Sequence, residues 1–227
     1  MMIYKYAIKI TEKAYQDIFQ QFELRISAER KEKVSKFHFD EDKKRSILAE
    51  VLLRHSLKRD FGMTNDHIHF TINEYGKPSL QNFDHIHFNL AHSGDWVVCA
   101  VSDTPIGIDI EQVAMIEMDI AKAYFTSSEY QDILSQPKDK QIQYFYKLWT
   151  LKESYVKAEG KGLTIPLDSF SFCIQPETIQ LFESNQLSQK YSFQLFDLDD
   201  FHIVALCSKQ LSEAPISIVT LNHIDIW

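Results

Sequence analysis

A coarse internal repeat constrains the fold of this sequence more than any other feature. The first half contains a long amphipathic segment that ends at Gly62, then strand-like segments, then the apolar run WVVCAVS. The second half repeats this order at similar separations, with a long segment that ends at Gly160 and the apolar run FHIVALCS. Because a helix with an apolar stripe buries it against another element, the repeat predicts an α+β fold. We expect a pseudo-dimer of two similar halves, each a long helix packed on a small antiparallel sheet.

The length of the chain agrees with two halves. Its 227 residues suit two compact units of about 100 residues each. We place these units at residues 1–104 and 105–227. A binding site is expected in the cleft between them, where such sites commonly lie.

Charge and hydropathy exclude several classes of function. The formal net charge is -8 and the pI is about 5.6, whereas general binding to nucleic acid or to anionic membranes requires a basic surface. The N-terminus alternates like a strand and not like a signal peptide, and no apolar run approaches the roughly 20 residues of a membrane span. The three cysteines lie in apolar, strand-like runs, where buried thiols are typical. We expect a cytoplasmic protein.

Local signals predict most of the helices. A helix is expected from Thr11 to about Phe22, a short one opened by Ser27, and a long one from about Asp40 to Phe61. In the second half a capping box precedes a helix near residue 127, and the second long helix begins near residue 139. Strands are expected near residues 170–174, 191–196, 202–207 and 216–221.

Two carboxylates share one face of a predicted strand, in the segment IGIDIE. Side chains alternate along a strand, so Asp109 and Glu111 lie beside Gly107 and opposite three isoleucines. Two carboxylates at this spacing offer oxygen ligands to a hard cation such as Mg²⁺. The same residues also fit an edge strand with a polar outer face.

The second long helix carries a charged cluster. Trp149, Lys152, Glu153 and Lys157 fall on adjacent turns. A carboxylate between two ammonium groups, next to the segment Gly160-Lys-Gly, fits an anion-handling site. An ordinary surface pair of Glu153 with Lys157, contributing about 0.2 to 0.5 kcal/mol, fits as well.

Further basic groups are candidates for phosphate binding. Arg30 and Lys33 share a face of the short helix, and Arg45 lies near the start of the long one. Lys77 is expected at the tip of the turn signal NEYGKP, and His92 lies in a loop. Each of them fits either a phosphate contact or a solvated surface.

The motif DHIHF occurs twice, at residues 66–70 and 84–88. If both copies are strands, each of them places its two histidines on one face. The four histidines could then bind zinc if the two strands pair in register. Plain alternation on a half-exposed sheet explains the same residues.

The order of these motifs resembles the signature of the 4'-phosphopantetheinyl transferases. The segment from Gly107 to Glu111 is followed, some forty residues later, by WTLKESYVK from Trp149 and then by Gly160-Lys-Gly. The upstream segments GKP at residues 76–78 and FNLAHS at residues 88–93 are similar to those of the larger, Sfp-type branch, which activates surfactin-synthetase-like enzymes. The resemblance extends from the helix of Arg30 to about residue 172.

The resemblance implies an activity and its co-substrates. Such enzymes move the phosphopantetheine arm of coenzyme A to a serine of an apo acyl, polyketide or peptidyl carrier protein, and release adenosine 3',5'-bisphosphate. Their fold is a pseudo-dimer of two similar halves. The alternatives are a non-catalytic module that binds coenzyme A or carrier protein, and a Mg²⁺-dependent phosphohydrolase acting on coenzyme A.

The resemblance also implies roles for individual residues. Asp109, Glu111 and Glu153 would hold Mg²⁺, with Lys157 close to the phosphate under attack and Glu153 as the base, a metal ligand or both. The residues implied to contact coenzyme A are Arg30, Lys33, Arg45, Lys77, Pro78, His92 and Ser93. We expect a monomer, since an internal repeat needs no second subunit to complete its site.

Overall fold

The computed structural model of the protein describes residues 2–11, 22 and 25–225, apart from the side chain of residue 163. It contains five helices within these ranges: α1 Ala28–Ser35, α2 Asp40–Phe61, α3 Asp119–Tyr124, α4 Ser127–Ser135 and α5 Gln141–Glu159. The helix predicted from Thr11 to Phe22 lies almost wholly outside the described residues. No described helix has the length and apolar character to cross a membrane.

Twelve strands are present in the same part of the chain. They are β1 Ile3–Lys9, β2 Phe70–Ile72, β3 Pro78–Leu80, β4 His87–Ser93, β5 Trp96–Ser102, β6 Ile106–Gln112, β7 Phe170–Ile174, β8 Ile179–Glu183, β9 Gln186–Ser188, β10 Ser192–Asp199, β11 His202–Ser208 and β12 Ser217–Val219. Within the described residues β2 and β3 form a small separate hairpin, and β7, β8 and β9 form a small separate sheet.

The two main sheets have the same strand order. In the first half β5 lies between β1 and β4, and in the second half β11 lies between β6 and β10, with antiparallel pairing throughout. Helix α2 packs on the first sheet and α5 on the second. The equivalent strands β5 and β11 therefore take the central place of these three-strand arrangements, and the predicted α+β pseudo-dimer is confirmed.

Three apolar clusters hold the layers together. One joins α2 to the first sheet, through residues such as Leu52 and Cys99, and a second joins α5 to the other sheet, through residues such as Leu151 and Cys207. A third lies between the sheets, where Val98 and Ala100 share a core with Ile108. The protein thus stacks as helix, sheet, sheet, helix. Because side chains alternate along each strand, each sheet packs against its helix on one face and against the other sheet on the opposite face.

The ends of the helices follow the predicted capping signals. The Ser27 side chain accepts a hydrogen bond from the Arg30 backbone N–H at the start of α1. Thr126 and Glu129 form the predicted capping box of α4. The left-handed residues Gly62 and Gly160 end α2 and α5, because glycine adopts a positive φ without a steric penalty.

Strand β12 crosses between the halves. It pairs in parallel with β1 in the sheet of the first half. Val219 and Ile224, near the end of the second half in sequence, are buried in the core under α2. The boundary placed between residues 104 and 105 stays a prediction.

Some sequence predictions were wrong. In the first DHIHF copy, Asn65–His67 is a single 3-10 turn and only Phe70 lies in a strand. In the second copy only the last two residues lie in β4, and β2 pairs with β3 while β4 pairs with β5. The two copies are therefore not paired strands, and the four-histidine zinc site is not formed by the described residues.

Two smaller differences concern the second half. Helix α5 begins at Gln141, two residues later than predicted, because Lys140 donates its backbone N–H to the carbonyl of Pro137 in the preceding turn. Strands β8 and β9 were missed. They join at Ser184 and Asn185, both in the left-handed region, without the glycine that usually signals such a hairpin.

Candidate active site

A glycine brings α5 unusually close to β6. A Cβ atom at Gly107 would lie 1.9 Å from the backbone oxygen of Ser154 and 2.6 Å from the backbone nitrogen of Ala158. Only a residue without a side chain fits this contact. The close approach sets the face of β6 that carries Asp109 directly against the last two turns of α5.

Asp109 and Lys157 meet across this contact. The Lys157 Nζ atom lies 2.5 Å from Oδ1 of Asp109, and the Asp109 side chain is only 6% exposed. The second carboxylate oxygen, Oδ2, is buried and has no hydrogen-bond partner. A buried, unpaired carboxylate oxygen is costly, so this atom is available to a further ligand.

Glu111 and Glu153 complete a group of three acidic side chains. Burial, the negative charge of Asp109 and that of Glu153 raise the pKa of Glu111 to about 7, against the opposing effects of Ser93 and Lys157. Burial and the charge of Asp109 likewise raise the pKa of Glu153. Ser93 Oγ donates to Glu111 Oε2 at 3.0 Å. Three carboxylates that oppose one another's ionisation form a strongly electronegative site with one ammonium beside it.

The donor atoms fit a hard divalent cation. Carboxylate oxygens are the ligands preferred by Mg²⁺, and the unpartnered oxygen of Asp109 lies among them. The side chains as they stand do not converge into a metal-holding group of three or more anywhere in the described residues.

Arg45 brings a positive charge, and His92 a hydrogen-bonding imidazole, to the neighbourhood of the acidic group. Arg45 donates from Nη1 to the backbone oxygen of Gly94 at 3.0 Å and pairs through Nη2 with Asp42. Partial burial and the neighbouring charges of Arg45 and Lys157 lower the pKa of His92. His92 is therefore a neutral side chain at pH 7 that can still donate one hydrogen bond.

Arg30 and Lys33 lie on one side of α1, as predicted. Arg30 is partly committed, because Nε donates to the buried Glu50 at 3.2 Å and Nη1 donates to Ser46. The Lys33 side chain is exposed, and its ammonium makes no hydrogen bond or ion pair with the described residues. Partial desolvation of the amine and the charge of Arg30 lower the pKa of Lys33. Lys33 is therefore the less constrained of these two cations.

The turn between β2 and β3 lies between two cavities. A cavity of about 290 Å³ reaches from Gly76, Lys77 and Pro78 to Glu153 and Lys157. A second cavity shares Gly76 and Pro78 and extends to Arg30 and Lys33. Together they line a cleft that runs from the acidic group, past this turn, to the cations of the first half. The first cavity is close to the lower end of the volumes typical of small-molecule sites.

The structure corrects two expectations about lysines. Lys77 is not presented at an exposed tip, since its Nζ atom points into the end of α5. Lys152 faces away from Glu153 and is fully buried, with Nζ 2.9 Å from Glu129 Oε2 and 2.7 Å from two backbone oxygens. Trp149 packs against Phe125 and Phe145. Helical spacing alone did not reveal which face of α5 meets β6.

Two functional residues were missed in the sequence. Asn89 is buried and accepts a hydrogen bond from the Ile108 backbone N–H at 2.8 Å, which links the two sheets at the cavity wall. Glu50 is 1% exposed and accepts hydrogen bonds from Ser27, Arg30 and Arg54. An acidic residue within the apolar stripe of a long helix was the available signal for Glu50.

The chain matches known families over both halves. Residues 105–207 match the model of the 4'-phosphopantetheinyl transferase superfamily, and residues 13–104 match that of the 4'-phosphopantetheinyl transferase N-terminal family. A partial likeness to the crystal structure of Thermotoga maritima holo-[acyl-carrier-protein] synthase has a TM-score of 0.39 and 21% identity, and covers 46% of this chain and 61% of that one.

Relatives are similar over most of their length. The chain is 38% identical to the 4'-phosphopantetheinyl transferase Sfp of Bacillus subtilis over 203 residues, which cover 89% of this chain and 91% of that one. It is 38% identical to the 4'-phosphopantetheinyl transferase psf-1 of Bacillus pumilus, over 90% of this chain and 86% of the relative. The chain therefore belongs to the 4'-phosphopantetheinyl transferase superfamily, in its Sfp-type branch.

Proposed function

We propose that this protein transfers the 4'-phosphopantetheine arm of coenzyme A to a serine of an apo carrier protein, with Mg²⁺ as cofactor. The observation that carries the proposal is the assembly of Asp109, Glu111, Glu153 and Lys157 where β6 meets α5, at one end of a basic cleft. Family membership supports the same reaction. The other product is adenosine 3',5'-bisphosphate.

The cleft supplies the contacts for coenzyme A. Lys33, Arg45 and the guanidinium edge of Arg30 offer positive charge to phosphate oxygens. His92 and Ser93 offer hydrogen bonds at the same end. Gly76 and Pro78 line both cavities, and Lys77 lines the first of them, so this turn would border bound coenzyme A.

The chemical step is a displacement at phosphorus. The serine oxygen of the carrier forms a new bond to the phosphorus of the phosphopantetheine, and the bond from that phosphorus to the bridging pyrophosphate oxygen breaks. The electron pair of the broken bond leaves with adenosine 3',5'-bisphosphate. Such reactions depend mainly on positioning and on neutralisation of charge.

Two side chains of α5 act on the reacting groups. Glu153 takes the serine proton, directly or through a water. Lys157 exchanges its contact with Asp109 for an oxygen of the phosphate under attack. Asp109, Glu111 and Glu153 would hold Mg²⁺, which when bound neutralises the negative charge of the pyrophosphate.

One experiment tests the activity directly. The protein is incubated with coenzyme A, Mg²⁺ and several unrelated apo carriers, and the intact mass of each carrier is measured. We expect the mass of a phosphopantetheine group on the carrier serine and equimolar adenosine 3',5'-bisphosphate. No mass gain on any carrier would overturn the proposal. Free phosphopantetheine without a carrier would instead indicate a phosphohydrolase, and tight coenzyme A binding unaffected by chelator, without turnover, a binding module.

The partners and setting follow from the same reaction. We propose that the protein acts as a monomer in the cytoplasm, where coenzyme A and carrier proteins are available, and binds neither nucleic acid nor membranes. The acidic net charge of -8 supports the last point.

A further inference from the structure

The C-terminal end of α5 is capped by the other half of the molecule. The last carbonyl groups of a helix have no partner within the helix. Here Gly160 N–H satisfies the carbonyl of Val156. The next two carbonyls, of Lys157 and Ala158, both accept hydrogen bonds from the ammonium of Lys77, the latter at 3.2 Å. A side chain of the β2–β3 turn therefore caps a helix that belongs to the second half.

A second side chain of the same turn extends this contact. Asn73 Nδ2 donates to the backbone oxygen of Gly160 at 2.9 Å. Its Oδ1 atom accepts from the backbone N–H groups of Tyr75 and Lys77, which fixes the shape of the turn. A Cβ atom at Gly160 would lie 2.7 Å from Cδ of Lys77. The turn thus fits closely on the glycine that ends the helix.

The Lys77 ammonium also reaches β6. Its Nζ atom lies 3.4 Å from the backbone oxygen of Ile106, the first residue of that strand. The ammonium of Lys77 thus contacts both elements that carry the acidic group. In β6 it contacts the carbonyl three residues before Asp109, and in α5 it contacts the carbonyl of Lys157 itself. Burial lowers the pKa of Lys77 to about 8, with Cys207 and Glu159 opposing the shift, so the amine keeps its proton at neutral pH. An ammonium at the negative end of a helix is also favourable for the helix dipole.

We propose that Lys77 and Asn73 are positioning residues, which hold the end of α5 and the start of β6 in the register that sets Lys157 and Glu153 against Asp109. This proposal rests on the proposed function for its catalytic consequence. The Lys77 ammonium is then committed to backbone carbonyls and does not bind a phosphate of coenzyme A. The same turn lines both cavities, so the part of the first half that meets the ligand also fixes the catalytic helix of the second half.

The test separates a cap on α5 from a phosphate contact. In Lys77→Met the methylene groups stay and the three ammonium hydrogen bonds are lost. Amide hydrogen exchange in the last turn of α5, residues 156–160, should accelerate about tenfold or more, since the loss of even one of these hydrogen bonds from a charged donor is enough for that. This readout needs neither coenzyme A nor turnover. The kcat should fall at least tenfold, while the dissociation constant of coenzyme A changes less than threefold.

Lys33→Met is the matched control. Lys33 lines the same cleft, and its ammonium has no hydrogen-bond or ion-pair partner among the described residues. It should weaken coenzyme A binding about tenfold and leave exchange in α5 unchanged. If Lys77→Met instead reproduces the behaviour of Lys33→Met, the Lys77 ammonium is a phosphate contact and the proposal is wrong.

Asn73→Asp provides a second, milder variant. It keeps the oxygen that accepts from the turn and removes the donor to Gly160, so exchange near residue 160 should accelerate in a protein that stays folded. Unchanged exchange at residues 156–160 in both variants overturns the proposal. Faster exchange in a protein that transfers nothing to any carrier would overturn the proposed reaction and leave the cap established.

Discussion

At the residue scale, variants of the acidic group can distinguish metal ligation from proton transfer. Asp109→Ala removes the buried oxygen that has no partner, so both Mg²⁺ binding and turnover should be lost. Glu153→Gln keeps an oxygen ligand but cannot take a proton, so Mg²⁺ binding should persist while turnover falls at least a hundredfold, the usual contribution of a general base. Calorimetry of Mg²⁺ binding together with single-turnover rates checks both. Full activity of Glu153→Gln would exclude it as the base.

Glu111 gives a prediction about pH. Its pKa in the folded protein is raised to about 7 by burial and by the charges of Asp109 and Glu153, above the value of about 4.3 expected in an unfolded chain. Between these two values the folded state binds more protons, so the contribution of Glu111 to stability is lost as pH rises towards 7. Glu111→Gln should therefore be stabilised relative to the native protein more at pH 7.5 than at pH 5. Urea unfolding in chelator measures this, and equal differences at both pH values would contradict it.

The residues of the site differed in how far the sequence could identify them. Asp109 and Glu111 follow from the period of a strand, which is fixed by backbone geometry. Lys152 and Glu153 are neighbours on a helix, and no local rule states which of them faces β6. That choice is made by the contact of Gly107 with α5, a distant packing event. The hydrogen bonds from Lys77 to the end of α5 also depend on packing between distant residues, so the sequence did not reveal them.

At the scale of elements, the packing of α5 on β6 should depend on Gly107. A Cβ atom there meets backbone atoms that cannot move aside, so Gly107→Ala should destabilise the protein by about 3 kcal/mol. Gly62→Ala is the control, because that glycine has φ +66° and no atom within 4 Å of an added Cβ. It should cost only about 1 kcal/mol for the left-handed conformation. Equal losses in urea unfolding would mean that the close contact is not limiting.

The pair of Lys152 with Glu129 should matter for stability and not for chemistry. Both side chains are at most 1% exposed. Lys152→Met leaves a buried carboxylate without its cation, which should cost about 3 to 5 kcal/mol. The rate per folded molecule should stay near that of the native enzyme. The double variant Lys152→Met/Glu129→Gln should recover part of the stability. If Lys152→Met instead lowered the rate without lowering the stability, Lys152 would have a role in the active site.

Helices were predicted better than short strands. Caps such as Ser27 and Gly62 are local signals, and they fixed the bounds of α1 and α2 closely. Strands β8 and β9, which were missed, are short and carry few buried residues, so their periodicity is weak. The first DHIHF copy was wrongly predicted as a strand, because its residues alternate although part of it forms a 3-10 turn.

At the scale of the whole molecule, the C-terminal segment should stabilise the first half. Val219 and Ile224 are 6% and 8% exposed and complete the core under α2. Removing residues 216–227 should cost at least about 3 kcal/mol, since each buried aliphatic side chain contributes about 1.5 to 3 kcal/mol. Unfolding should remain a single transition, because a shared core joins the two sheets. Two separate transitions, or unchanged stability, would contradict this prediction.

The identical strand order of the two halves has a consequence for stoichiometry. Counted from the first residue of each equivalent strand, Tyr6 in β1 stands where Asp109 stands in β6, and Ile8 stands where Glu111 stands. The first of these hydrogen-bonds Asp60, and the second is fully buried. A symmetric assembly of two equal halves would offer two such acidic groups, whereas the first half carries neither carboxylate at these places, so we expect each polypeptide to load one carrier at a time.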